Sequence, residues 1–178
     1  KTVGEEQALT VYQKLLSVTK MITMPLDVDR QVWYSSYIAD DDRWSNTAYE
    51  KRLQSGTDLG QRMSNAFDQA FADGYEKVVV IGSDCADLTT TIIQKAFTTL
   101  DENEVVIGPS RDGGYYLLGM GSFYPVLFEN IDWSTPSVFK QTKRKVDQLG
   151  LTLQVLQTLN DIDTEQDLAQ SSLKLNSV

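Results

Sequence analysis

The sequence predicts an α/β fold, a three-layer α/β/α sandwich in which helices cover both faces of a mostly parallel central sheet. Two apolar runs, Lys77 to Gly82 and Glu104 to Gly108, are bounded by turn residues and lack polar alternation, which is typical of strands buried on both faces. An amphipathic stretch from Thr89 to Leu100 separates them. Strand, helix and strand in this order form a βαβ unit, whose crossover is right-handed in ~98% of cases.

A single domain, residues 1–178, is expected from the length and the composition. The chain has 178 residues, of which 41% are hydrophobic, and this content is enough to build one core. The longest apolar runs, such as Val78 to Ile81, are much too short to span a bilayer, and the first residues lack the pattern of a signal peptide. The single cysteine, Cys85, excludes an intrachain disulfide. We therefore expect no membrane span and a cytoplasmic location.

The amino-terminal half contains two predicted helices and one predicted strand before the βαβ unit. Residues 5–20 carry apolar side chains at helical spacing. Residues 31–37 are rich in strand-forming residues. A second amphipathic helix begins after Asp58, a good N-cap residue with Gln61 three positions later, and ends at Gly74.

The carboxyl-terminal half continues with further strands and helices. Tyr115 to Met120 is a third apolar segment, which either forms a hairpin with the preceding strand or follows a short crossover. A helix is predicted after the N-cap Thr135, with Pro136 at its first position. Leu151 to Leu156 is a predicted strand, and Asp163 to Leu168 opens a last helix.

The composition limits the chemistry that the chain can perform. The chain has no histidine, so it contains no Ser-His or Cys-His nucleophile pair and no histidine zinc site. Catalysis must therefore use Asp, Glu, Lys, Tyr or a hard metal ion held by oxygen ligands, and Mg²⁺ and Mn²⁺ prefer such ligands. Without a histidine to activate it, Cys85 is expected to be a small packed residue rather than a nucleophile.

The net charge of −9 argues against a nucleic-acid partner. An acidic protein repels a polyphosphate backbone unless its basic residues gather on one face. The tightest basic cluster, Lys143 to Lys145, lies late in a predicted helix, where cations at the surface complement the helix dipole. We expect a small-molecule partner and no nucleic acid.

Asp84 is the first candidate for a functional residue, because it directly follows a predicted central strand. In open α/β sheets, ligands bind in the crevice beyond the carboxyl ends of the parallel strands. Asp84 would direct its carboxylate into this crevice, whereas Asp87 is expected to cap the next helix. The structural alternative for Asp84 is that it only binds amides of its own loop.

Two further acidic segments follow other predicted strands. Asp112 precedes two glycines, which allow the backbone to approach a ligand or to adopt positive φ, although Asp-Gly-Gly is also a common turn. Asp161 and Asp163 point the same way if their segment is extended. The alternative for Asp163 is a capping box with Gln166. Two separated carboxylates, with open positions for phosphate oxygens, are typical of Mg²⁺ sites.

Four motifs together resemble those of the bacterial DUF2064 family of GT-A-like transferases. In chain order they are Ile81 to Leu88 (IGSDCADL), Gly108 to Gly119 (GPSRDGGYYLLG), Asp132 to Thr135 (DWST) and Asp161 to Leu168 (DIDTEQDL), and Asp58 to Met63 (DLGQRM) fits the same pattern. The resemblance extends over essentially the whole chain. More distantly, the sequence is similar to nucleotidyltransferases such as the molybdenum-cofactor guanylyltransferases and the phospholactate guanylyltransferases.

This resemblance implies a nucleotide-diphospho-sugar transferase-like fold and a set of site residues. In the superfamily, an aspartate after the central strand and a late Asp or Asn ligate a divalent cation that holds the nucleotide diphosphate. These positions fall on Asp84 and Asp163, and the cation would be Mg²⁺ or Mn²⁺. Asp112 would lie near the sugar or the acceptor. Other matching positions are expected to line the substrate crevice: Gly113, Gly114, Tyr115, Arg62, Trp133, Ser134 and Thr135.

The chain departs from the family pattern at two places. The family usually has proline at the position of Ala86, and alanine would loosen the loop after Asp84 without removing a ligand. The family also begins with a strand and a basic, glycine-containing loop that should contact nucleotide phosphates. Lys1 to Glu6 corresponds to the segment that leads into the first helix, so this strand and loop are expected to be missing from residues 1–178.

The expected function is metal-dependent transfer from an activated nucleotide to a small-molecule acceptor. The first hypothesis is a nucleotide-diphospho-sugar glycosyltransferase, in which the cation neutralises the leaving diphosphate. If transfer inverts the configuration, Asp112 would be the base that accepts the proton of the acceptor. The second hypothesis is a nucleotidyltransferase that forms a nucleotide-linked product from a nucleoside triphosphate. The third is a catalytically inactive interaction domain, which the missing basic loop would explain.

Overall fold

The computed structural model describes residues 4–162, 164–171 and 173. In chain order, the described elements are α1 (Glu5–Thr23), β1 (Gln31–Tyr34), β2 (Glu50–Leu53), α2 (Leu59–Ala72), β3 (Val78–Ile81), α3 (Thr90–Thr99), β4 (Val105–Pro109), β5 (Tyr115–Met120), a 3₁₀ helix (Pro125–Phe128), α4 (Val138–Gln148), β6 (Leu153–Val155) and α5 (Glu165–Gln170). None of the described helices is both long and apolar enough to cross a lipid bilayer.

The strands form two sheets. Four strands in the order β3-β5-β4-β6 make the larger sheet, and β1 and β2 form a separate parallel pair. In the larger sheet, β5 is antiparallel to both neighbours, whereas β4 and β6 are parallel. β3 and β4 therefore run in the same direction on either side of β5. The fold is the predicted α/β arrangement, and three of the four strands of the larger sheet run in the same direction, although two of its three strand pairings are antiparallel.

The segment after β4 forms a hairpin, which decides between the two predicted alternatives for Tyr115–Met120. β4 and β5 pair in antiparallel fashion, with Val106 opposite Gly119, and residues 110–114 form the turn between them. The predicted βαβ unit is also present as β3, α3 and β4. Its two strands are not neighbours, because β5 is inserted between them.

Two apolar clusters fill the space between the larger sheet and the helices on its faces. The cluster under α1 and α3 includes Ile22, Ile93, Ala96, Val106 and Leu117. The cluster under α2, the 3₁₀ helix and α4 includes Phe67, Leu118, Met120, Leu127 and Val146. In β5, Leu117 enters the first cluster, whereas Leu118 and Met120 enter the second, because side chains alternate along a strand. The protein is thus the predicted three-layer structure.

β2 was not among the predicted strands, because its sequence is charged rather than apolar. Tertiary contacts hold it in place. The guanidinium of Arg52 lies 2.7 Å from the carboxylate of Glu50 and 2.5 Å from that of Asp73, at the end of α2. It also lies over the ring of Trp33, 5.6 Å from the ring centroid. The charged side chains are therefore held by partners that no local pattern reveals.

The start of α2 agrees with the sequence prediction, and that of α4 does not. Asp58 caps α2, and its carboxylate accepts a hydrogen bond from the amide of Gln61 at 2.9 Å. α4 begins later than predicted, after Ser137. The hydroxyl of Thr135 donates instead to the carbonyl of Asp132 at 2.6 Å, which closes a turn before the helix.

Two other predicted caps are also displaced along the chain. Thr89, rather than Asp87, caps α3 by accepting a hydrogen bond from the amide of Ile92 at 3.3 Å. The capping box of α5 consists of Thr164 and Asp167, one residue after the predicted pair. In both cases, a threonine next to the helix takes the position predicted for an aspartate.

Candidate functional site

Most of the predicted site residues gather at the carboxyl ends of the parallel strands β3, β4 and β6. Three segments meet there, residues 82–88, 110–114 and 159–162, which we call the crevice edge. The amide of Ile162 donates a hydrogen bond to the carbonyl of Asp84 at 3.0 Å, and a second main-chain bond joins 110–114 to 159–162. Because ligands of open α/β sheets bind at this edge, its residues form the candidate site.

Asp84 lies at the end of β3 with its carboxylate against the backbone of Gly82. A Cβ atom added at Gly82 would lie 2.6 Å from Oδ1 of Asp84. Gly82 still belongs to the sheet pairing, because its amide donates to the carbonyl of Tyr116 at 3.0 Å. The glycine therefore makes room for the carboxylate directly above the strand. Asp84 itself is exposed.

Asp161 lies within electrostatic reach of the residue that follows Asp84. Burial raises the pKa of the Cys85 thiol to about 12, and the negative charge of Asp161 adds to this effect. Burial also raises the pKa of Tyr116 to about 12, again with a contribution from Asp161. Cys85 is 4% exposed and remains a neutral thiol near neutral pH, as expected for a packed residue.

Side-chain hydrogen bonds fix the segment that carries the late acidic residues. Nδ2 of Asn160 donates to Oδ1 of Asp167 at 3.2 Å, and the amide of Thr164 donates to Oδ2 of Asp167 at 2.9 Å. Asp161 lies between Asn160 and Thr164, the two residues that these hydrogen bonds join to Asp167. The predicted ligand Asp163 belongs to the same segment but lies outside the described residues.

The chemistry of these donors suits a hard divalent cation. Asp84 and Asp161 supply carboxylate oxygens, which Mg²⁺ and Mn²⁺ prefer, and the sequence has no histidine to attract a softer metal. Within the described residues, no three metal-binding side chains lie close enough together to form a site by themselves. A cation at the crevice edge would therefore depend on few carboxylates and on oxygens of its ligand, as is usual for Mg²⁺.

Asp112 holds the turn between β4 and β5. Its Oδ1 accepts hydrogen bonds from the hydroxyl of Ser110 at 2.5 Å and from the amide of Gly114 at 2.9 Å. Ser110 is buried, whereas Asp112 is exposed. One oxygen of the predicted base therefore has a structural role, and the role of Asp112 as a base stays a prediction.

The glycine after Asp112 allows close packing against the start of α4. Gly113 has φ +93°, and a Cβ atom there would lie 2.1 Å from the carbonyl oxygen of Pro136. The carbonyl of Gly113 also accepts a hydrogen bond from the amide of Phe139 at 2.9 Å. This glycine thus serves a backbone-to-backbone contact within the protein, in addition to any contact with a ligand.

Tyr115 packs inward from the crevice. Its ring makes an edge-to-face contact with Trp133, with the centroids 6.5 Å apart. Burial raises the pKa of Tyr115, and the nearby hydroxyl of Thr142, a buried residue of α4, partly opposes this shift. This geometry favours a packing role for Tyr115 against Trp133, beneath the surface of the site, rather than contact with a substrate.

Trp133 connects its segment to the beginning of α2. A Cβ atom at Gly60 would lie 2.0 Å from Nε1 of Trp133, so only glycine permits this approach. The ring of Phe128 stacks on the indole, with the centroids 6.3 Å apart. Ser134 follows with φ 60°, in the left-handed region, and Thr135 closes the turn. The segment is therefore rigidly placed beside the Asp112 turn.

Two arginines, Arg62 and Arg111, form no ion pair within the described residues. Nε of Arg62 donates to the carbonyl of Gly56 at 3.3 Å, in the loop between β2 and α2. Arg111 is exposed in the turn after β4. Because neither guanidinium is neutralised by a described carboxylate, both remain able to bind an anionic ligand.

The structure joins most, but not all, of the predicted residues into one surface. Asp84 and Asp112 lie on segments joined by hydrogen bonds, and Trp133 to Thr135 lies next to the Asp112 turn. Arg62 contacts the loop before α2, and no described hydrogen bond joins it to these segments. Sequence reasoning missed Ser110, although a hydroxyl two residues before Asp112 is a recognisable turn signal.

Comparison with known proteins shows the family to which the chain belongs. The sequence model of a family described as "Uncharacterized protein conserved in bacteria (DUF2064)" matches residues 19–135, which is more than half of the chain. The chain belongs to the DUF2064 family. This membership confirms the family that the motifs indicated.

Solved structures extend the comparison to the whole fold. The "putative nucleotide-diphospho-sugar transferase" from Desulfovibrio desulfuricans G20 is 34% identical, and the match covers 93% of this chain and 74% of that one with a TM-score of 0.86. Rv0371c from Mycobacterium tuberculosis H37Rv is 12% identical, with coverages of 90% and 81% and a TM-score of 0.48, and is too distant to support an argument. No curated protein matches the chain. The DUF2064 chain has the GT-A-like fold that its motifs implied.

Proposed function

We propose that this DUF2064 protein is a glycosyltransferase that moves a sugar from a nucleotide-diphospho-sugar to a small-molecule acceptor, with Mg²⁺ or Mn²⁺ as cofactor. Family membership and the fold support a transferase of this kind. The 34% identical protein from D. desulfuricans is described as such an enzyme, and this description applies to that protein only. For this chain, the proposal rests on the residues of the crevice edge.

The hydrogen bond between the amide of Ile162 and the carbonyl of Asp84 is the observation that carries the proposal. At 3.0 Å, it fixes the late acidic segment beside the residue that follows β3. Carboxylates that are far apart in sequence thereby belong to one edge of the sheet. Two such carboxylates can hold a cation, and the cation leaves positions open for diphosphate oxygens.

We assign the metal-binding role to Asp84 and Asp163, with Asp161 as an additional carboxylate in the same segment. When bound, the cation would neutralise the charge that develops on the leaving nucleoside diphosphate. Gly82 contributes by leaving room for the carboxylate of Asp84. The hydrogen bond from Asn160 to Asp167 holds the segment that carries Asp161 in place.

Asp112 is the proposed base for an inverting transfer. Because Oδ1 of Asp112 is bound to Ser110 and Gly114, Oδ2 would accept the proton of the acceptor hydroxyl. Arg62 and Arg111 are proposed to contact the anionic part of the donor, since guanidinium groups match phosphate geometry.

Product analysis of the purified natural protein tests this function. The protein is incubated with Mn²⁺ and a panel of nucleotide-diphospho-sugars and candidate acceptors. Release of a nucleoside diphosphate supports sugar transfer. Release of pyrophosphate from a nucleoside triphosphate would instead identify the nucleotidyltransferase alternative. If no nucleotide reacts or binds with Mn²⁺ present, the inactive interaction domain is the better description and the proposal is wrong.

A charge-matched control variant distinguishes the loss of a metal ligand from the general effect of removing one negative charge. Asp84→Asn should abolish the Mn²⁺-dependent product because it removes a proposed ligand. Asp68→Asn removes the same charge from an exposed position of α2 and should leave product formation unchanged. Equal activity in the two variants would contradict a role for Asp84.

A further inference from the structure

The side chain of Ser110 is polar and buried at the crevice edge. Among the described residues, only Ser110 and Thr142 combine a polar side chain with burial, and Ser110 is 5% exposed. A buried hydroxyl that lacks a hydrogen-bond partner is costly, so almost every such group has one. The hydroxyl of Ser110 donates to Oδ1 of Asp112 at 2.5 Å. The burial of Ser110 is therefore coupled to the carboxylate of the proposed base.

Main-chain hydrogen bonds fix the position of Ser110. Its amide donates to the carbonyl of Gly114 at 3.1 Å, and its carbonyl accepts from the amide of Gly113 at 3.2 Å. On its other side, Ser110 pairs in parallel fashion with Leu159, and the amide of Arg111 donates to the carbonyl of Leu159 at 3.0 Å. Ser110 is thus held between the hairpin turn and the segment that leads to the late acidic residues.

The two oxygens of Asp112 are in different environments. Oδ1 accepts from both Ser110 and the amide of Gly114, at 2.5 Å and 2.9 Å. A carboxylate oxygen has about two lone-pair sites, so these two donors fill Oδ1. In the part of the chain that the structure describes, no hydrogen bond or ion pair reaches Oδ2, and Asp112 is exposed. Oδ2 is therefore the oxygen that a ligand can reach.

The two donors to Oδ1 differ in what they contribute. The bond from Gly114 closes a turn that an aspartate commonly forms with the amide two residues later. The bond from Ser110 is short, as charge-assisted hydrogen bonds are, and its donor is shielded from water, which strengthens the interaction. With one donor, the carboxylate can still swing about that bond. A second donor to the same oxygen restricts this motion.

The contact between Ser110 and Asp112 is also closely packed. A Cβ atom added at Gly114 would lie 3.3 Å from Oδ1 of Asp112 and 3.3 Å from the hydroxyl oxygen of Ser110. The backbone of Gly114 therefore covers the hydrogen bond from one side. This packing leaves little space for a different orientation of the Ser110 hydroxyl.

We propose that Ser110 is a positioning residue for the sugar transfer, because its buried hydroxyl holds Asp112 in the orientation that presents Oδ2 to the acceptor. The proposal depends on the function proposed above. In that reaction, the proton of the acceptor hydroxyl goes to Oδ2, and the acceptor oxygen forms a bond to the anomeric carbon of the sugar. The bond from this carbon to the diphosphate breaks, and its electron pair leaves with the nucleoside diphosphate.

NMR tests the orientation of Asp112 without any substrate. The three-bond couplings between Hα and the two Hβ atoms report whether the side chain occupies one rotamer or several. Wild-type protein should give the couplings of one rotamer, and Ser110→Ala should give averaged values. Ser17→Ala is the control, because its exposed hydroxyl donates to a carbonyl of α1, and the couplings of Asp112 should stay unchanged. Couplings that are the same in Ser110→Ala and in the wild type would contradict the proposal.

Turnover of three variants tests the role in the reaction. Ser110→Ala should lower kcat by about tenfold, because a displaced base loses alignment with the acceptor, and KM for the donor should stay within about twofold. Ser110→Cys keeps a side chain of similar size but is only a weak donor, so kcat should fall similarly even if alanine disturbs the turn. Ser110→Thr keeps the hydroxyl and should recover most of kcat. Equal kcat in the cysteine and threonine variants would overturn the proposal.

A double-mutant cycle shows whether Ser110 acts through Asp112. In the Asp112→Asn background, the base is absent, so Ser110→Ala should lower kcat by less than about twofold. A further loss of about tenfold in this background would mean that Ser110 affects turnover by another route, and the proposal would be wrong.

The NMR and kinetic results together distinguish the two proposals. If the wild type turns over no nucleotide-diphospho-sugar, the proposed function fails, and with it the assignment of Ser110 to the reaction, even if the couplings show that Ser110 holds Asp112. If the wild type is active and Ser110→Ala is equally active, the function stands and the positioning role fails. Loss of the single rotamer together with loss of kcat in Ser110→Ala would support both.

Discussion

The main-chain amide of Ile162 lies 3.0 Å from the main-chain carbonyl oxygen of Asp84 and donates a hydrogen bond to it. Because both atoms belong to the backbone, this contact persists when the side chain at position 84 is changed. The carboxylate of Asp84 can therefore be removed while the late acidic segment stays beside β3. Substitutions of Asp84 therefore test the role of its carboxylate without breaking the main-chain contact with Ile162.

Gly82→Ala should weaken Mn²⁺-dependent nucleotide binding while it preserves the fold. The new Cβ atom would lie 2.6 Å from Oδ1 of Asp84, so the carboxylate must move away from its position above the strand. We expect an affinity loss of about tenfold or more, which corresponds to ~1.4 kcal/mol, measured by calorimetric titration. Gly121→Ala is the control, because a Cβ atom there meets nothing within 4 Å. Unchanged affinity in Gly82→Ala would show that this position of Asp84 is not needed.

Gly60→Ala should destabilise the protein by about 1–3 kcal/mol, the usual cost of overpacking. The added Cβ atom would lie 2.0 Å from the indole nitrogen of Trp133, which is held by Phe128 and Tyr115 and cannot move freely. Urea unfolding followed by tryptophan fluorescence measures the effect. A loss no greater than that of Gly121→Ala would mean that the close approach of α2 to Trp133 is wrong.

Asp112→Asn separates the two roles assigned to this residue. Asparagine keeps an oxygen that can accept the hydrogen bonds of Ser110 and Gly114, but it cannot act as a base. Turnover should fall by about 10²-fold or more at an unchanged melting temperature. Asp112→Ala should lower both, because the turn also loses its acceptor. Full turnover in Asp112→Asn would eliminate the base role and leave only the turn.

Cys85 should resist thiol reagents in the folded protein. Burial raises its pKa from an ordinary value of 9.0 to about 12, so almost no thiolate exists at about pH 8. A disulfide reagent followed by absorbance should react slowly with native protein and rapidly after unfolding. Fast reaction of the native protein would contradict the packed position of Cys85.

The same pKa shift predicts a loss of stability at alkaline pH. A group whose pKa is higher in the folded state contributes its full stability below the unfolded pKa and loses it as pH rises toward the folded pKa. For Cys85, the contribution should therefore decline between about pH 9 and about pH 12. Cys85→Ala should flatten this decline in urea unfolding curves. Tyr116 shifts in the same direction, so part of the decline should remain.

The elements that the sequence predicts well are those whose local pattern agrees with their tertiary environment. The apolar run of β3, the buried run of β4 and the cap at Asp58 need no distant partner to be recognised. β2 could not be predicted because it depends on the contacts of Arg52 with Asp73 and Trp33. The cap predicted at Thr135 failed because its hydroxyl binds Asp132, a choice set by the turn.

The residues of the candidate site also divide into those that a local sequence pattern predicts and those that depend on tertiary contacts. The position of Asp84 after a central strand identified it from sequence, since the ligand edge of an α/β sheet is a property of the topology. The turn-holding role of Asp112 and the packing of Tyr115 against Trp133 depend on three-dimensional contacts. The predicted role of Asp163 lies outside the described residues and stays a prediction.

Nucleotide binding by the natural protein, measured with and without Mn²⁺, shows whether Asp84 is a metal ligand. A nucleoside diphosphate is titrated in the presence and absence of Mn²⁺ with the wild type, Asp84→Asn and the charge-matched Asp68→Asn. We expect Mn²⁺-dependent binding in the wild type and in Asp68→Asn, and a loss of that dependence in Asp84→Asn with an unchanged melting temperature. Binding that is indifferent to Mn²⁺, or equal in all three proteins, would contradict the assignment of Asp84 as a metal ligand.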